Sequence, residues 1–423
     1  MPEAIKTVSV IGLGYVGLPA AAVIANRGID VIGVDTSDTT VAAISNGDTP
    51  IEEPDLDILV RSAVSSGRLT ATHEPRPADV FVIAVPTPFN DKKSPDLSYL
   101  QAATESIAPV LEKGNLVILE STSPVGTTEK ISSWLAALRG DLHFPNGPDG
   151  KPDIYIAHSP ERVLPGRVLI ELVDNDRVIG GITPSCSERA AEFYRLFVKG
   201  RIHVTDARTA ELVKLTENAY RDTNIAFANE MSLVCEHLGI NVWDVIQLAN
   251  RHPRVEILKP GPGVGGHCIA VDPWFIVDSA PDHTPLLQTA RNVNDRKPYT
   301  IVSKTLQLAA DANAKTIACL GLAYKADIDD LRESPSVEIV KTLAGKFQGT
   351  LRVVEPHIDQ LPGDLDVCGN VELVSLDAGL DQAGVVILLT DHREFAAVPD
   401  QIPADTPTLD TRGAWSKSPT VER

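Results

Sequence analysis

The sequence predicts an α/β protein in which two parallel-sheet domains are joined by a long central helix. Over the first third of the chain, short β-branched runs alternate with helical stretches. A helical segment of about 30 residues follows, and at Lys315 the opening pattern begins again. Nearly apolar strands that alternate with helices are typical of parallel sheets covered on both faces.

The first domain contains strands that are predicted to be buried, because almost every residue in them is apolar. A helix over residues 18–28 follows the first strand after a glycine turn. The strands are predicted at 7–12, 31–35, 80–85 and 116–121, with further strand-like runs at 154–159, 177–181 and 201–204 that extend the sheet. We expect this first domain to cover residues 1–205.

A long helix dominates the middle of the chain. Residues 206–239 contain no proline and end on Gly239, which is a good helix stop. A Gly/Pro-rich loop over 259–273 and a second helical region over 284–311 follow. Together these segments predict a central region over residues 206–311.

The last part of the chain repeats the organisation of the first. The segment KTIACLGLAYK at 315–325 resembles KTVSVIGLGYVG at 6–17, and LRVVEPH at 351–357 stands where the second strand stood in the first domain. Later strands are predicted at 385–391 and 408–413. We therefore expect a smaller, second sheet domain over residues 312–423, derived from a duplication.

The composition is that of a globular protein with a marked excess of acidic residues. The chain has 38 Lys+Arg and 57 Asp+Glu, which gives a net charge of −19. That charge argues against a broad nucleic-acid surface, because phosphate binding needs an excess of Lys and Arg. No apolar stretch approaches the ~20 residues of a membrane helix, and the first residues lack the features of a signal peptide.

The cysteine pattern favours a reducing compartment. The five cysteines are odd in number and far apart, and none forms a CxxC pair. A disulfide framework or thiolate metal site is therefore not expected, and the cytoplasm is the predicted location. The ten histidines are scattered without ligand spacing, so no metal site is predicted.

A glycine-rich turn links the first strand to the first helix. Gly12, Gly14 and Gly17 form a G-x-G-x-x-G pattern, which permits a tight turn and brings a pyrophosphate to the helix N-terminus. Asp35 ends the second strand, 18 residues after Gly17, where a carboxylate binds ribose hydroxyls and repels a 2′-phosphate. The pattern predicts a Rossmann-like domain and NAD, rather than NADP, as cofactor; the alternative is an ordinary β–α turn.

Three threonines follow later strands of the same sheet, at the edge where such folds place ligands. Thr87 lies in the segment VPTP, and Thr122 and Thr128 lie in ESTSPVGTT. They are candidates for contacts with the cofactor or with a water molecule in the site. Each one taken alone is at least as well explained as a turn or helix-cap hydroxyl.

One face of the long helix carries an uncommon combination of polar side chains. Lys214, Asn218 and Arg221 stand at i, i+4 and i+7 and so share that face. A buried lysine there would be a tunable acid, base or oxyanion partner. The alternative is a solvated stripe without a functional role.

The loop GVGGHCIAVDP is the sharpest functional signal in the chain. Three glycines closely precede Cys268, His267 adjoins it, and Asp272 follows at i+4. Glycines allow a ligand to approach the backbone, and a cysteine in a polar loop near a lysine can become a nucleophile. The alternative is a buried, inert cysteine. That is our interpretation of the other four, Cys186, Cys235, Cys319 and Cys368.

These features occur together with further blocks, and the combination resembles the UDP-sugar 6-dehydrogenases. GLGYVGLP, ESTSPVGTT, SPERVLPG, KLTEN, PGPGVGGHCIAVDP and YKADIDDLRESP appear in that family's order, over residues 5–415. GGHCIAVDPWF and PERVLPG most resemble the enzymes that act on UDP-N-acetyl-D-mannosamine; UDP-glucose enzymes usually have GGSCF, and an acid at the position of Pro165. UDP-N-acetylglucosamine and UDP-glucose are the alternative substrates, and a non-catalytic nucleotide-sugar sensor is a remote alternative.

The resemblance implies a four-electron oxidation of the sugar C6 alcohol to a carboxylate, with two NAD used in succession, for surface polysaccharide synthesis. In that family the first hydride transfer gives an aldehyde. The residue matching Cys268 forms a thiohemiacetal with it and then a thioester. Glu161 and Thr122 match the groups placed around the water that hydrolyses the thioester.

The same comparison implies roles for residues elsewhere in the chain. Lys214, helped by Asn218, matches an acid/base and oxyanion-stabilising lysine, and Asp272 matches a residue that assists base chemistry. Substrate-binding positions are matched by Arg162, Val163, Arg221, His252, Arg254, Gly265, Tyr324, Lys325 and Arg412. Cofactor positions are matched by Tyr15, Val16 and Arg332, besides the glycines, Asp35, Thr87 and Thr128. For Arg254 and Arg332 the alternative is a surface ion pair. In the family the long helix forms the dimer core, so a homodimer or larger assembly is expected.

Overall fold

The computed structural model describes residues 5–51, 53–90, 93–145, 152–163, 166–266 and 268–415. Two positions singled out from the sequence, Pro165 and His267, lie outside the described residues. The chain divides into a first unit, Met1–Glu217 with Trp274–Ala280, and a second unit, Asn218–Pro273 with Pro281–Arg423.

The first unit is built on a sheet of apolar strands. These are β1 (Thr7–Ile11), β2 (Asp30–Val34), β3 (Leu69–Thr72), β4 (Val80–Ile83), β5 (Leu116–Leu119), β6 (Tyr155–His158), β7 (Arg177–Gly181) and β8 (Ile202–Asp206). Within the described residues they form one sheet in the order β3-β2-β1-β4-β5-β6-β7-β8. Strands β4 and β5 are buried along their whole length, which is why their sequences are unbroken apolar runs.

Helices pack on both faces of this sheet. They are α1 (Gly17–Ala25), α2 (Asp38–Ser45), α3 (Leu56–Ser65), α4 (Ser98–Ile107), α5 (Thr127–Leu138), α6 (Val168–Asp174) and α7 (Pro184–Tyr194), with a 3₁₀ turn at Ala108–Val110. Side chains alternate along a strand. Val80 and Val82 of β4 accordingly belong to one apolar cluster, and Phe81 and Ile83 belong to another. The predicted α/β fold class is thereby confirmed for this unit.

Two neighbouring strands, β7 and β8, depart from the parallel sheet that the sequence predicts. Strand β7 runs antiparallel to β6 and parallel to β8. Its last residues pair with the end of β6, Gly181 with Ala157 and Gly180 with His158. An antiparallel return needs no crossover over the sheet. As a result Arg177, the first residue of β7, lies at the edge where β5 and β6 end.

The middle of the chain contains the two predicted long helices, α8 (Ala207–His237) and α11 (Pro285–Asp311). Between them lie two helices of eight residues that the sequence analysis did not predict, α9 (Val242–Ala249) and α10 (Asp272–Ser279). Helix α8 begins in the first unit and continues into the second over 31 residues. Gly239, the predicted stop, follows its end with a φ of +67°. No helix among the described residues combines the length and the apolar character needed to cross a membrane.

The second unit contains the predicted second sheet. Its strands are β9 (Thr316–Leu320), β10 (Thr350–Val354), β11 (Val371–Leu373), β12 (Val385–Leu388) and β13 (Thr408–Asp410). Its helices are α12 (Pro335–Ala344), α13 (Gly363–Asp366) and α14 (Leu376–Leu380), with 3₁₀ turns at Pro281–His283, Arg393–Phe395 and Val398–Gln401. The described strands are all parallel, in the order β11-β10-β9-β12-β13.

The turns after the first strand of each sheet have the same geometry. The N–H of Gly12 donates to the carbonyl of Val34, and that of Gly321 donates to the carbonyl of Val354, both at 2.8 Å. The two glycines have φ values of +94° and +91°. This match supports the duplication that the sequence indicates.

The β1–α1 turn generates a stability prediction. A Cβ at Gly17 would overlap with the backbone carbonyl of Gly12, whereas a Cβ at Gly14 would meet nothing within 4 Å. We expect Gly17→Ala to lower the free energy of unfolding by about 1–3 kcal/mol, and Gly14→Ala to change it by less than about 0.5 kcal/mol. Urea denaturation of the ligand-free variants measures both values, and equal midpoints for the two would contradict the prediction.

Candidate active site

The β1–α1 turn is open to an anionic ligand. Helix α1 has no acidic residue in its first turn, and Val16, which precedes it, forms no side-chain cap. The N–H groups that begin the helix are therefore free of an internal carboxylate, and a phosphate can bind at this end of the helix. Gly14 borders open space, and the side chain of Tyr15 is 39% exposed.

Asp35 follows β2 and holds this turn in place. Its Oδ2 accepts a hydrogen bond from the Leu13 N–H at 2.9 Å, and its Oδ1 accepts one from the Ser37 N–H at 2.9 Å. The residue is half-buried, so lone pairs of the carboxylate remain reachable for hydroxyl donors. The turn and Asp35 together fit the adenosine half of NAD.

The predicted threonines have different neighbours. The Thr87 hydroxyl donates to the Thr122 carbonyl and joins the loops that follow β4 and β5. Thr128 is fully buried, and its N–H and hydroxyl donate to Glu211 Oε1 at 2.7 and 2.6 Å. The Thr128 hydroxyl is therefore explained by a structural role at the start of helix α5, which is the alternative that the sequence analysis considered. Its contact with the cofactor stays a prediction.

Glu211 was missed by the sequence analysis. It lies in the first turns of α8 with 1% of its surface exposed, and its Oε2 accepts a hydrogen bond from the Gly126 N–H at 2.6 Å. Burial raises its pKa, although its hydrogen bonds with Thr128 and Gly126 oppose that rise. A carboxylate at the N-terminus of α5 is stabilised by the free N–H groups there.

A buried ionic network lies at the carboxyl edge of the first sheet. Glu120 follows β5, Glu161 follows β6, and Arg177 begins β7; their exposed fractions are 2%, 8% and 3%. Arg177 Nη2 donates to Glu161 Oε2 at 3.1 Å, and its Nη1 lies 3.7 Å from Glu120 Oε1. Tyr194, at the end of α7, donates its hydroxyl to Glu120 Oε1 at 2.6 Å. Glu161 was predicted as a site residue, whereas the other three were not.

Burial shifts the protonation equilibria in this network. Burial raises the pKa of Glu120, and the nearby Glu161 carboxylate adds to the rise, while Arg177 and the Tyr194 hydrogen bond oppose it. Burial likewise raises the pKa of Tyr194. For Arg177, burial favours the neutral form, but the Glu161 and Glu120 carboxylates outweigh it and raise its pKa. Arg177 is therefore a permanent cation, and Glu120 is a carboxyl group whose pKa burial raises.

Two predicted substrate-binding residues follow Glu161. Arg162 forms a two-point ion pair with Glu217 of α8, with Nη2 2.6 Å from Oε1 and Nε 3.1 Å from Oε2. Val163 packs against the apolar cluster on one face of the first sheet. The ion pair fixes the guanidinium on α8, and the Arg162 role in substrate binding stays a prediction.

The predicted polar residues of α8 differ in burial. Lys214 is half-buried, Asn218 is buried and Arg221 is exposed. The Asn218 amide donates to Asp272 Oδ2 at 2.5 Å, and both residues are almost fully buried, with exposed fractions of 8% and 2%. The stripe is therefore not a simple solvated face.

Cys268 begins the turn that leads into α10. Its carbonyl accepts hydrogen bonds from the Asp272 N–H at 2.8 Å and from the Val271 N–H at 3.0 Å. Its side chain is half-buried, unlike those of Cys186, Cys235 and Cys319, which are buried. Within the second unit, Cys268, Asp272 and Asn218 are thus joined through one turn of backbone and one buried hydrogen bond.

The glycines before Cys268 allow close packing on a second-unit loop. A Cβ at Gly265 would lie 2.7 Å from both the Glu333 carbonyl and the Tyr324 side chain. Gly266 has a φ of +81°, and its N–H donates to the Arg332 carbonyl at 3.1 Å. The structure therefore brings the predicted residues Gly265, Tyr324 and Arg332 together beside the cysteine loop.

The remaining residues predicted to bind the cofactor or the substrate lie nearer the surface. Arg332 forms an ion pair with Asp330 at 2.7 Å, which is the alternative considered for it, and the Arg412 Nε donates to Asp391 at 2.8 Å. A Cβ at Gly261 would lie 2.7 Å from an Arg412 guanidinium nitrogen, so Arg412 reaches the start of the cysteine loop. His252, Arg254 and Lys325 are exposed.

A polar network missed by the sequence analysis holds that loop on α8. Asp222 accepts from Arg291 at 2.6 Å and from Asn294 at 2.8 Å. The Asn229 amide donates to Asn294 at 2.9 Å, and its Oδ1 accepts from the Gly261 N–H at 2.9 Å. Asp222, Asn229 and Asn294 are at least 99% buried, and Arg291 is 98% buried. The network joins α8, α11 and the loop through buried hydrogen bonds.

Four side chains of the second unit bring possible metal-ligand atoms within 4.8 Å of one another: Asp327, His357, His392 and Glu394. The spacing of histidines in the sequence does not reveal this group. However, His392 Nδ1 accepts from the Asp327 N–H at 2.9 Å, and its Nε2 donates to Glu355 at 3.0 Å. Both ring nitrogens are thus already hydrogen-bonded, which explains His392 as a structural residue.

Three models of one family match the chain along most of its length. They describe the UDP-glucose/GDP-mannose dehydrogenase family: its NAD binding domain matches residues 6–198, its central domain 208–296 and its UDP binding domain 318–417. The prediction of NAD as cofactor is thereby confirmed.

Relatives of known name and solved structure agree with these matches. The chain is 58% identical over 411 residues to the NDP-N-acetyl-D-galactosaminuronic acid dehydrogenase of Ralstonia nicotianae, covering 97% of this chain and 96% of the relative. It is 53% identical over 417 residues to the UDP-N-acetyl-D-mannosamine dehydrogenase of Escherichia coli K12, covering 97% and 99%. The structure of UDP-D-ManNAc dehydrogenase from Pyrococcus horikoshii matches with a TM-score of 0.87 and 38% identity, covering 98% and 97%. The chain therefore belongs to the UDP-glucose/GDP-mannose dehydrogenase family.

Proposed function

We propose that this protein oxidises UDP-N-acetyl-D-mannosamine at C6 to UDP-N-acetyl-D-mannosaminuronate, with NAD as oxidant. Relatives named UDP-N-acetyl-D-mannosamine dehydrogenase, 53–54% identical over nearly the whole chain, support the substrate. The observation that carries the chemistry is the buried Asn218–Asp272 hydrogen bond, one turn of chain from Cys268. The cytoplasm is the proposed location, and surface polysaccharide synthesis is the proposed use of the product.

The β1–α1 turn is the proposed NAD site. The N–H groups at the start of α1 bind the pyrophosphate, which reaches them past Gly14, and Asp35 binds the ribose hydroxyls. Tyr15, Thr87 and Arg332 complete the proposed cofactor contacts. When bound, NAD accepts a hydride from the sugar carbon, and two NAD act in succession.

Cys268 is the proposed nucleophile. Its thiolate attacks the C6 aldehyde left by the first oxidation, and loss of a second hydride converts the thiohemiacetal to a thioester. One N–H of the Asn218 amide donates a hydrogen bond to Asp272. The second N–H of the same amide can donate a hydrogen bond to the oxyanion that develops. Lys214, one turn earlier on α8, is proposed to stabilise the same negative charge and to act as the acid/base of the reaction.

The division of the chain into the three regions 1–205, 206–311 and 312–423 is part of the proposal. The boundaries of the three family models, which match 6–198, 208–296 and 318–417, support this division. The proposed substrate contacts are Arg162, Val163, Arg221, His252, Arg254, Gly265, Tyr324, Lys325 and Arg412.

A second candidate substrate is the corresponding N-acetylgalactosamine nucleotide. The relative from Ralstonia nicotianae, which is named for N-acetyl-D-galactosaminuronic acid, is 58% identical to this chain, compared with 53% for the Escherichia coli mannosamine enzyme. Epimers differ by contacts worth only about 1–3 kcal/mol each, so substrate assays must decide between them.

A homodimer through α8 is part of the proposal. Tyr220, Phe227 and Val234 recur at seven-residue intervals along α8 and are 69%, 49% and 42% exposed. Apolar residues at this spacing share one face of a helix. A second copy of the chain would remove that stripe from water.

Counting NADH tests the proposed function. Purified protein is incubated with NAD and, separately, with the UDP forms of N-acetylmannosamine, N-acetylglucosamine, N-acetylgalactosamine and glucose. We expect two NADH per sugar consumed with the mannosamine nucleotide alone. The same yield with only the galactosamine nucleotide would select the second candidate, and no NADH with any of them would overturn the proposal.

Cys268→Ser tests the covalent route. We expect the rate of uronate formation to fall by about 10³-fold or more, because a serine hydroxyl replaces the thiolate nucleophile. Uronate is measured by mass spectrometry of the quenched reaction. Cys368→Ser, at a half-buried thiol whose Sγ donates to the Asp364 carbonyl at 3.5 Å, is the matched control and retains activity. Near-normal uronate formation by Cys268→Ser would contradict the thioester.

Phe227→Asp tests the dimer. A carboxylate buried at the centre of an apolar interface is costly, so we expect the dimer dissociation constant to rise by about 100-fold or more. Analytical ultracentrifugation over a concentration series measures it. Val367→Asp, at an apolar side chain that is 82% exposed and lies outside α8, is the control. Unchanged dissociation constants in both variants would rule out this face of α8.

A further inference from the structure

The two carboxylates that Arg177 contacts have different surroundings. Both oxygens of Glu161 have a partner: Oε1 accepts from the Arg162 N–H at 2.5 Å, and Oε2 accepts from Arg177 at 3.1 Å. Glu120 Oε1 accepts from Tyr194, whereas its Oε2 has no hydrogen-bond partner among the described residues. The plane of the Glu161 carboxylate is therefore fixed at both oxygens.

The contacts that fix Glu161 come from separate parts of the fold. Arg177 reaches the carboxyl edge because β7 runs antiparallel to β6. Glu120 arrives at the end of β5, and Tyr194 at the end of α7. The orientation of Glu161 thus depends on the tertiary arrangement of three elements, not on its own loop alone.

Stability alone gives a poor account of this network. Apolar side chains of similar volume often replace a buried ion pair without loss of stability. Here two carboxylates share one guanidinium, and both Glu120 Oε2 and Arg177 Nη1 lack hydrogen-bond partners among the described residues. Each unsatisfied buried polar atom costs about 1–3 kcal/mol. Ionic groups buried at such a cost are characteristic of functional sites.

We propose that Arg177 and Glu120 are positioning residues that hold the Glu161 carboxylate for hydrolysis of the thioester. This inference rests on the proposed function and on the family resemblance, which implies that Glu161 and Thr122 lie around the hydrolytic water; we take Glu161 as the group that accepts a proton from that water. In that step the water oxygen bonds to the thioester carbon, and the C–S bond breaks. Cys268 leaves as a thiolate, one water proton passes to Glu161, and the product acid releases the other to solvent.

Arg177 and Glu120 have complementary parts in this arrangement. Arg177 orients Glu161 through Nη2, while Glu120 holds the other side of the guanidinium at 3.7 Å. The charged and titratable groups that face Glu120 are Arg177, Glu161 and Tyr194. Burial raises the pKa of the Glu120 carboxyl group, so Glu120 takes up a proton more readily than an exposed glutamate does.

Transient kinetics separate positioning from a structural role. Wild type, Arg177→Met, Glu120→Gln and Glu161→Gln are mixed with NAD and the UDP-sugar that wild type oxidises. In the variants we expect two NADH per active site to form at a rate within about 3-fold of the wild-type rate. We expect the hydrolysis that follows to be slowed about 10- to 100-fold in Arg177→Met, and by a smaller factor in Glu120→Gln. Intact-protein mass spectrometry of acid-quenched samples then shows the acyl group accumulating on Cys268.

A double-variant comparison distinguishes this mechanism from loss of structure. The double variant Arg177→Met, Glu161→Gln hydrolyses no slower than Glu161→Gln, because both changes remove one function. Arg195→Met, at an exposed arginine paired with Glu188 in the same unit, is the control and behaves as wild type.

The outcomes are distinguishable from those that test the function itself. Wild type that forms no NADH with any of the four UDP-sugars overturns the proposed function and this inference with it. With an active wild type, equal slowing of NADH formation and hydrolysis, or no acyl-enzyme in any network variant, overturns the positioning role alone. If Arg177→Met fails to fold, Glu120→Gln and Tyr194→Phe give the same test, because both leave the guanidinium in place.

Discussion

Parallel strands all end at one edge of their sheet, and this constraint determines where each unit carries its polar groups. Gly12 and Asp35 follow β1 and β2, and Glu120 follows β5, so residues distant in sequence meet at that edge. Arg177 reaches the same edge because its strand is reversed and begins there. The reversed strand β7 thus places a buried cation where the parallel strands β1–β6 place acids.

Hydrogen bonds, rather than apolar packing, determine where the cysteine loop of the second unit starts. Asp222 and Asn229 of α8 bind Arg291 and Asn294 of α11, and Asn229 also binds the backbone at Gly261. Buried polar groups must find partners, so few alternative helix registers satisfy this network. These bonds hold the start of the glycine-rich loop at Gly261, a residue that has no side chain of its own to pack.

The fold and the sequence-local parts of the site could be predicted, because they depend on short patterns. Most of the strands, the β1–α1 turn, the long α8 and the interest of Cys268 all follow from residues close together in sequence, whereas the short strands β3 and β11 were not predicted. The contacts of Thr128 with Glu211, and of Glu120 with Tyr194, join residues 83 and 74 positions apart. No local pattern marks such pairs. The reversal of β7 was equally hidden, since an apolar strand has the same composition in either direction.

The two duplicated turns differ in the accessibility of one carboxylate. Asp35 is half-buried, whereas the side chain of Glu355, which occupies the same position after β10, is fully buried. Its Oε2 accepts hydrogen bonds from the N–H groups of Leu322 and Ala323 and from His392. The carboxylate of the first turn can therefore still accept hydrogen bonds from outside the chain, whereas that of the second turn is committed to its own backbone and to His392. After the duplication, the same turn thus kept an accessible acid in one unit and became an internal anchor in the other.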